Sequence, residues 1–178
     1  LAGAFSMAAG EYVSVRSQRE FHEYQITLER EELEQYPQEE AAELALIYQA
    51  KGVEAMEAKR MAQALIQNPD RALDTLAREE LGLNPDELGS PWGAAISSFL
   101  AFSFGALIPL MPYLLLSGQT AFAGVLLVSG ISLFGVGAAI SLFTGKQAVL
   151  GGLRMLMIGA AAGAATWFIG GALGVALG

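Results

Sequence analysis

The run WGAAISSFLAFSFGALIPLMPYLLL, residues 92–116, carries no charged side chain over a length that decides the fold. A hydrocarbon core of about 30 Å is crossed by about 20 helical residues, so this run predicts a helix that spans a membrane. Two further uncharged runs, residues 121–143 and 155–177, are long enough to do the same. The whole chain fits that solvent: 53% of its residues are hydrophobic, 16% are charged and 21 are glycine. Soluble domains rarely combine these values.

Charge divides the chain in two. Residues 20–90 hold 17 acids against 6 bases, whereas residues 91–178 hold only Lys146 and Arg154. Water is therefore the expected solvent of the middle and lipid that of the C-terminal half. The acidic middle argues against nucleic acid as a partner, because phosphate binding needs clustered Lys and Arg. Cations are its natural partners. The absence of cysteine excludes disulfides, thiolate metal sites and cysteine nucleophiles.

Orientation follows from the bases, since short loops rich in Lys and Arg stay cytoplasmic. Arg16 and Arg19 close the apolar opening segment, and the loop before the last run carries Lys146 and Arg154. The loop SGQT, residues 117–120, is uncharged and is expected on the opposite side. The opening residues to Val15 are short for a span and read as the C-terminal part of one that begins upstream. The expected organisation is thus residues 1–19 as the end of a transmembrane helix and residues 20–90 as an acidic helical domain. Spans follow at residues 91–117, 121–144 and 153–177.

Within the acidic part, the segment from Glu20 ends at Tyr36-Pro37, where proline disfavours helix in its predecessor. Leu44, Ile47 and Tyr48 mark an apolar stripe at helical spacing that stops at Lys51-Gly52. A further helix covers residues 53–67. The last should begin with Asn68 as N-cap and Pro69 in its first turn, and run to Leu81 before Gly82.

Glu29 with Glu32, and Glu40 with Glu43, stand three residues apart, which puts each pair on one helix face. Carboxylates so close repel unless a cation lies between them, and the spacing suits a divalent ion that prefers oxygen. A solvated acidic face accounts for the same spacing. Glu80 adds an acid that only the tertiary fold could recruit. His22 is the single histidine, so a multi-histidine zinc site is excluded, and no Glu-x-x-His pair offers a di-iron centre. Met7 is either packing or a soft, transient metal contact. Glu11, at membrane depth, would cost roughly 2.5 to 3.5 kcal/mol or more unless it faces a cavity or partner, or sits near the headgroups. Glycines at residues 159 and 163, and at 170 and 174, allow close helix approach. No catalytic pattern is present, and the chain does not read as an enzyme.

With these residues placed, the sequence resembles the vacuolar iron transporter family, including bacterial members with a ferritin-like or rubrerythrin-like domain fused upstream. GAFSMAAGEYVSVRSQRE (residues 3–20) is similar to that family's second transmembrane helix. DTLAREELGL (residues 74–83) and SPWGAAISSFLAFSFGALIPLMPY (residues 90–113) are similar to its last cytoplasmic helix and third span. The resemblance implies an all-α, multi-pass membrane bundle with an inserted cytoplasmic metal-binding domain. It further implies a homodimer that exports Fe2+, or a related divalent ion such as Mn2+, in exchange for protons. By motif position the metal ligands would be Glu29, Glu32, Glu40, Glu43 and Glu80, with Met7 on the translocation path; Glu11 is expected on that path too, from its membrane depth. The family's methionine ligand falls at Leu76, which cannot coordinate. Its membrane aspartate belongs to a first helix expected before Leu1, so residues 1–178 alone are not expected to transport. A bacterial inner membrane is the expected location, rather than a vacuolar one. A membrane-anchored metal buffer or sensor is the alternative.

Overall fold

The computed structural model describes residues 1–172 and 174, and in it seven α-helices follow one another, with no strand among the described residues. They are α1 (Ala2–Gln35), α2 (Pro37–Ala50), α3 (Ala55–Ile66), α4 (Pro69–Glu79), α5 (Pro91–Leu115), α6 (Gly118–Phe143) and α7 (Ala148–Ala172). One 3-10 turn, Pro85–Glu87, precedes α5. The chain forms two compact units, Leu1–Leu100 and Ala101–Gly178, with α5 running through the boundary.

In the first unit, α1 is one unbroken helix of 34 residues. The expected boundary between residues 19 and 20 falls inside it. Nothing in SVRSQREFHEY breaks a helix, and the pairs Arg16–Glu20 and Arg19–Glu23 bridge successive turns at 2.6 and 2.7 Å. Toward its start, Phe5 packs on Phe99 and Tyr12 on Trp92, each pair with ring centroids 5.0 Å apart. Arg19 Nη1 donates to the Gly89 carbonyl at 3.3 Å, which ties α1 to the segment that leads into α5.

The helix ends follow local chemistry. Tyr36 closes α1 with its N–H donating to the Glu32 carbonyl at 2.7 Å, and Pro37 opens α2. Gly52 takes a φ of +95° after α2, a conformation that a side chain would strain. The Glu54 carboxylate caps α3 by accepting from the N–H groups of Met56 and Glu57. Asn68 Oδ1 caps α4 by accepting from Arg71 N–H at 3.3 Å. That helix ends at Glu79 rather than Leu81. Leu33, Leu44, Ala45, Ala58, Ala62, Ala72 and Leu76 form the buried core that α1 to α4 share. Alanine makes up most of it, so the helices approach closely around Leu44 and Leu76, the largest fully buried side chains.

In the second unit α6 packs along α7. A Cβ on Gly137 would lie 2.5 Å from the Gly151 carbonyl oxygen and 2.7 Å from Met155 Cβ. One on Gly151 would run into Ser141 Oγ, and one on Gly159 into Leu133. Gly163, Gly170 and Gly174 have open space instead, so of the expected close-approach glycines only Gly159 sits at this contact. Because α7 starts at Ala148, Arg154 lies within the helix rather than before it. The expected end of the last span at residue 177 lies outside the described residues. Helices α5, α6 and α7 are each long and apolar enough to cross a membrane. They display Phe104, Leu114, Leu127, Leu142 and Phe168 on their surfaces, as helices solvated by lipid do. The opening segment of α1 is not among these three.

Candidate metal site

Three helices bring one carboxylate each to a common point. Glu29 comes from the C-terminal part of α1, Glu40 from the first turn of α2, and Glu80 from the cap that ends α4. One oxygen of each lies within 4.8 Å of the others. Each glutamate stands one helical turn from a core leucine, with Glu29 four residues from Leu33, Glu40 four from Leu44 and Glu80 four from Leu76. The cluster therefore forms the polar edge of the apolar core. Hydrophobic packing of the leucines holds the acids together.

This arrangement is costly without a cation. Glu29 is 2% exposed and Glu40 6%, and Glu29 Oε1 and Glu40 Oε2 are buried with no hydrogen-bond partner. Among the described residues neither of these two, nor Glu32, Glu43 or Glu80, pairs with a Lys or Arg. Burial first, and then the charges of Glu80 and Glu40, push the Glu29 carboxyl up to about 8. Burial likewise raises Glu40, the neighbouring Glu29 carboxyl opposes that rise, and the charges of Glu43, Glu80 and Glu32 add to it. Glu80 is exposed as a residue, and partial burial of its carboxyl, with the charges of Glu43 and Glu32, raises it.

The donor set fits a divalent ion of hard or borderline character. Metal–oxygen distances of about 2.1 to 2.6 Å allow two ligands of one ion to stand at most about 4.2 to 5.2 Å apart, and separations within 4.8 Å are compatible with that limit. An ion there would satisfy both orphaned oxygens and offset the mutual repulsion of the acids.

The structure does not gather all five expected glutamates. Glu32 and Glu43 are exposed and stand outside the three-oxygen cluster, although their charges are felt at Glu40 and Glu80. Leu76 is wholly buried among the core side chains. Met7 and Glu11 lie far along α1 from the cluster, with Glu11 18 residues before Glu29, about 27 Å at helical rise. Both are exposed, and their four-residue spacing puts them on one face, away from the Phe5 and Tyr12 side that meets Phe99 and Trp92. Sequence reasoning missed the Lys51–Glu79 ion pair, which joins the ends of α2 and α4 beside the cluster. No spacing in the sequence announces it.

Comparison with known proteins places this architecture. The VIT family model matches residues 1–171. A vacuolar iron transporter of Acanthamoeba castellanii is 38% identical over 174 residues, covering 95% of this chain and 64% of its own length. Vacuolar iron transporter 1 of Arabidopsis thaliana is 33% identical over 167 residues, covering 93% and 67%. A vacuolar iron transporter of Plasmodium berghei is 30% identical over 179 residues, covering 95% and 66%. The chain thus spans about two thirds of the length of these curated relatives. A match across nearly every described residue, three helices fit to span a membrane and relatives of one name together make this chain a membrane protein of the VIT family.

Proposed function

We propose that the protein moves Fe2+, or a similar divalent ion such as Mn2+, out of the cytoplasm in exchange for protons, and collects the ion at Glu29, Glu40 and Glu80. The observation that carries this reading is the convergence of three carboxylates without a counter-charge, two of them with orphaned buried oxygens. Relatives named for iron transport point to the same cargo. Glu32 and Glu43 serve as outer acids that attract the ion and complete its oxygen shell when the helices close on it. The acidic surplus of residues 20–90 concentrates cations near the site.

Protons compete with the ion for the same oxygens, so loading and release follow local acidity. Along α1, Met7 and Glu11 present a thioether and a carboxylate on one face, a soft contact and a proton-accepting group for an ion in transit. The active form in this proposal is a homodimer in a bacterial inner membrane, with residues 20–90 in the cytoplasm.

Reconstitution of the natural full-length protein in proteoliposomes tests the reading. Fe2+ flux that moves protons the opposite way, and that falls in Glu29→Gln and Glu40→Gln, is the expected result. Metal binding without flux would assign the protein to the buffer or sensor class. Flux unaffected by either substitution would remove the cluster from the pathway.

A further inference from the structure

Lys146 and Arg154 are the only charged residues after position 90, so no carboxylate within the second unit can neutralise them. They share the wall of one cavity of about 400 Å³ where α6 ends and α7 begins, together with Ser141, Gln147, Leu150 and Gly151. Gly151 N–H donates to the Gln147 carbonyl at 3.1 Å, which sets the start of the α7 ladder. The N–H groups of Ala148, Val149 and Leu150 therefore come before the first intrahelical bond, at the positive end of a 25-residue helix. Ser141 is 3% exposed and forms part of the cavity wall.

An orientation signal alone needs bases in a loop. Here Arg154 is the seventh residue of α7, about 9 Å inside its start. A guanidinium at that depth in a span-long helix needs an anion or a route to the headgroups. The surroundings favour an anion that carries its own apolar part. Leu150 of the cavity wall is exposed, and so are Leu142 and Phe143 at the end of α6, Phe143 to 93%. The ends of two span-length helices are also expected at headgroup level, where basic pockets between helices take up anionic lipids.

We infer that this cavity binds the phosphate of an anionic membrane lipid. Lys146 and Arg154 supply the charge, the first turn of α7 supplies N–H donors, and Leu142, Phe143 and Leu150 carry the start of the acyl chains.

Lipid retention and melting of the full chain in detergent test this, with phosphatidylglycerol, phosphatidylcholine and inorganic phosphate as probes. Phosphatidylglycerol should be retained preferentially and raise Tm, with little effect from the other two. The Lys146→Gln, Arg154→Gln double variant should lose about tenfold in phosphatidylglycerol affinity, ~1.4 kcal/mol. Lys146→Gln alone, at an exposed residue, should lose part of it even if the double variant folds poorly, and Lys146→Arg should keep it. The chain has no cysteine, so labelling of one introduced at Ser117 checks that orientation is unchanged. Equal stabilisation by inorganic phosphate would overturn the lipid assignment, as would retention of phosphatidylcholine to the same extent. A phosphatidylglycerol preference that survives both Gln variants would overturn the site.

Discussion

Glu79 and Glu80, adjacent at the end of α4, serve different partners: Glu79 is ion-paired with Lys51, while Glu80 joins Glu29 and Glu40. Lys51 is thereby spent on the acid outside the cluster. The three carboxylates are left to be balanced by a mobile cation or by protons.

Metal affinity should depend unequally on the five glutamates. Calorimetry on the full chain is expected to show Fe2+, Mn2+ or Zn2+ binding weakened at least about tenfold, ~1.4 kcal/mol, by Glu29→Gln or Glu40→Gln. Glu32→Gln and Glu43→Gln, which change exposed outer acids, should cost clearly less. Equal losses at all five positions would point to a diffuse acidic surface.

The metal-free protein should lose stability as pH rises. Glu29 titrates near 8 in the folded chain against an ordinary value of 4.5, so between those values the folded state holds a proton that the unfolded chain has released. The stabilisation is complete below the lower value and lost as pH passes the upper one. Melting temperatures from pH 5 to pH 8.5 should fall, a divalent ion should reverse the fall at the alkaline end, and Glu29→Gln should flatten the profile.

Leu76→Met should be tolerated, because it nearly conserves volume in the core and costs under about 1.5 kcal/mol. It stands one turn before Glu80, so the new thioether should tighten Fe2+ and Zn2+ more than Mn2+. Equal affinities before and after, in a folded variant, would mean that the side chain stays within the core.

Met7→Ala should slow flux in the full-length protein while equilibrium binding and stability stay close to wild type. Met7 is 46% exposed, so its packing loss should fall well below the 2 to 5 kcal/mol typical of a buried methionine, at about 1 kcal/mol or less. A large drop in Tm alongside the lost flux would return Met7 to a packing role.

Gly137→Val should disrupt the α6–α7 contact and cost about 1 to 3 kcal/mol, since even its Cβ meets backbone. Gly163→Val, with open space around it, should stay within about 0.5 kcal/mol by thermal melting in detergent.

Much of this molecule is legible in the sequence where the chemistry is local. Pro37, Gly52, Asn68 and Pro69 mark helix ends that depend on their own backbone, and the uncharged runs are set by the solvent they meet. The site is less legible. Spacing of three residues groups Glu29 with Glu32 and Glu40 with Glu43, yet the fold takes one member of each pair and adds Glu80. That selection is made by Leu33, Leu44 and Leu76, whose burial fixes which side of each helix turns inward. The glycine contacts show the same limit. Gly163 has the spacing for close approach, but α6 and α7 meet at Gly137, Gly151, Gly152 and Gly159.

The continuity of α1 has a mechanical consequence. A helix without a kink moves largely as a rod, so Glu29 and the Met7–Glu11 face act as two ends of one lever. A tilt of about 5° pivoting at Glu29 would carry Glu11 sideways by about 2 Å, given about 27 Å between them. Under the proposed function, ion capture among three helices would thus be felt as displacement far up α1, with no relay of side chains required.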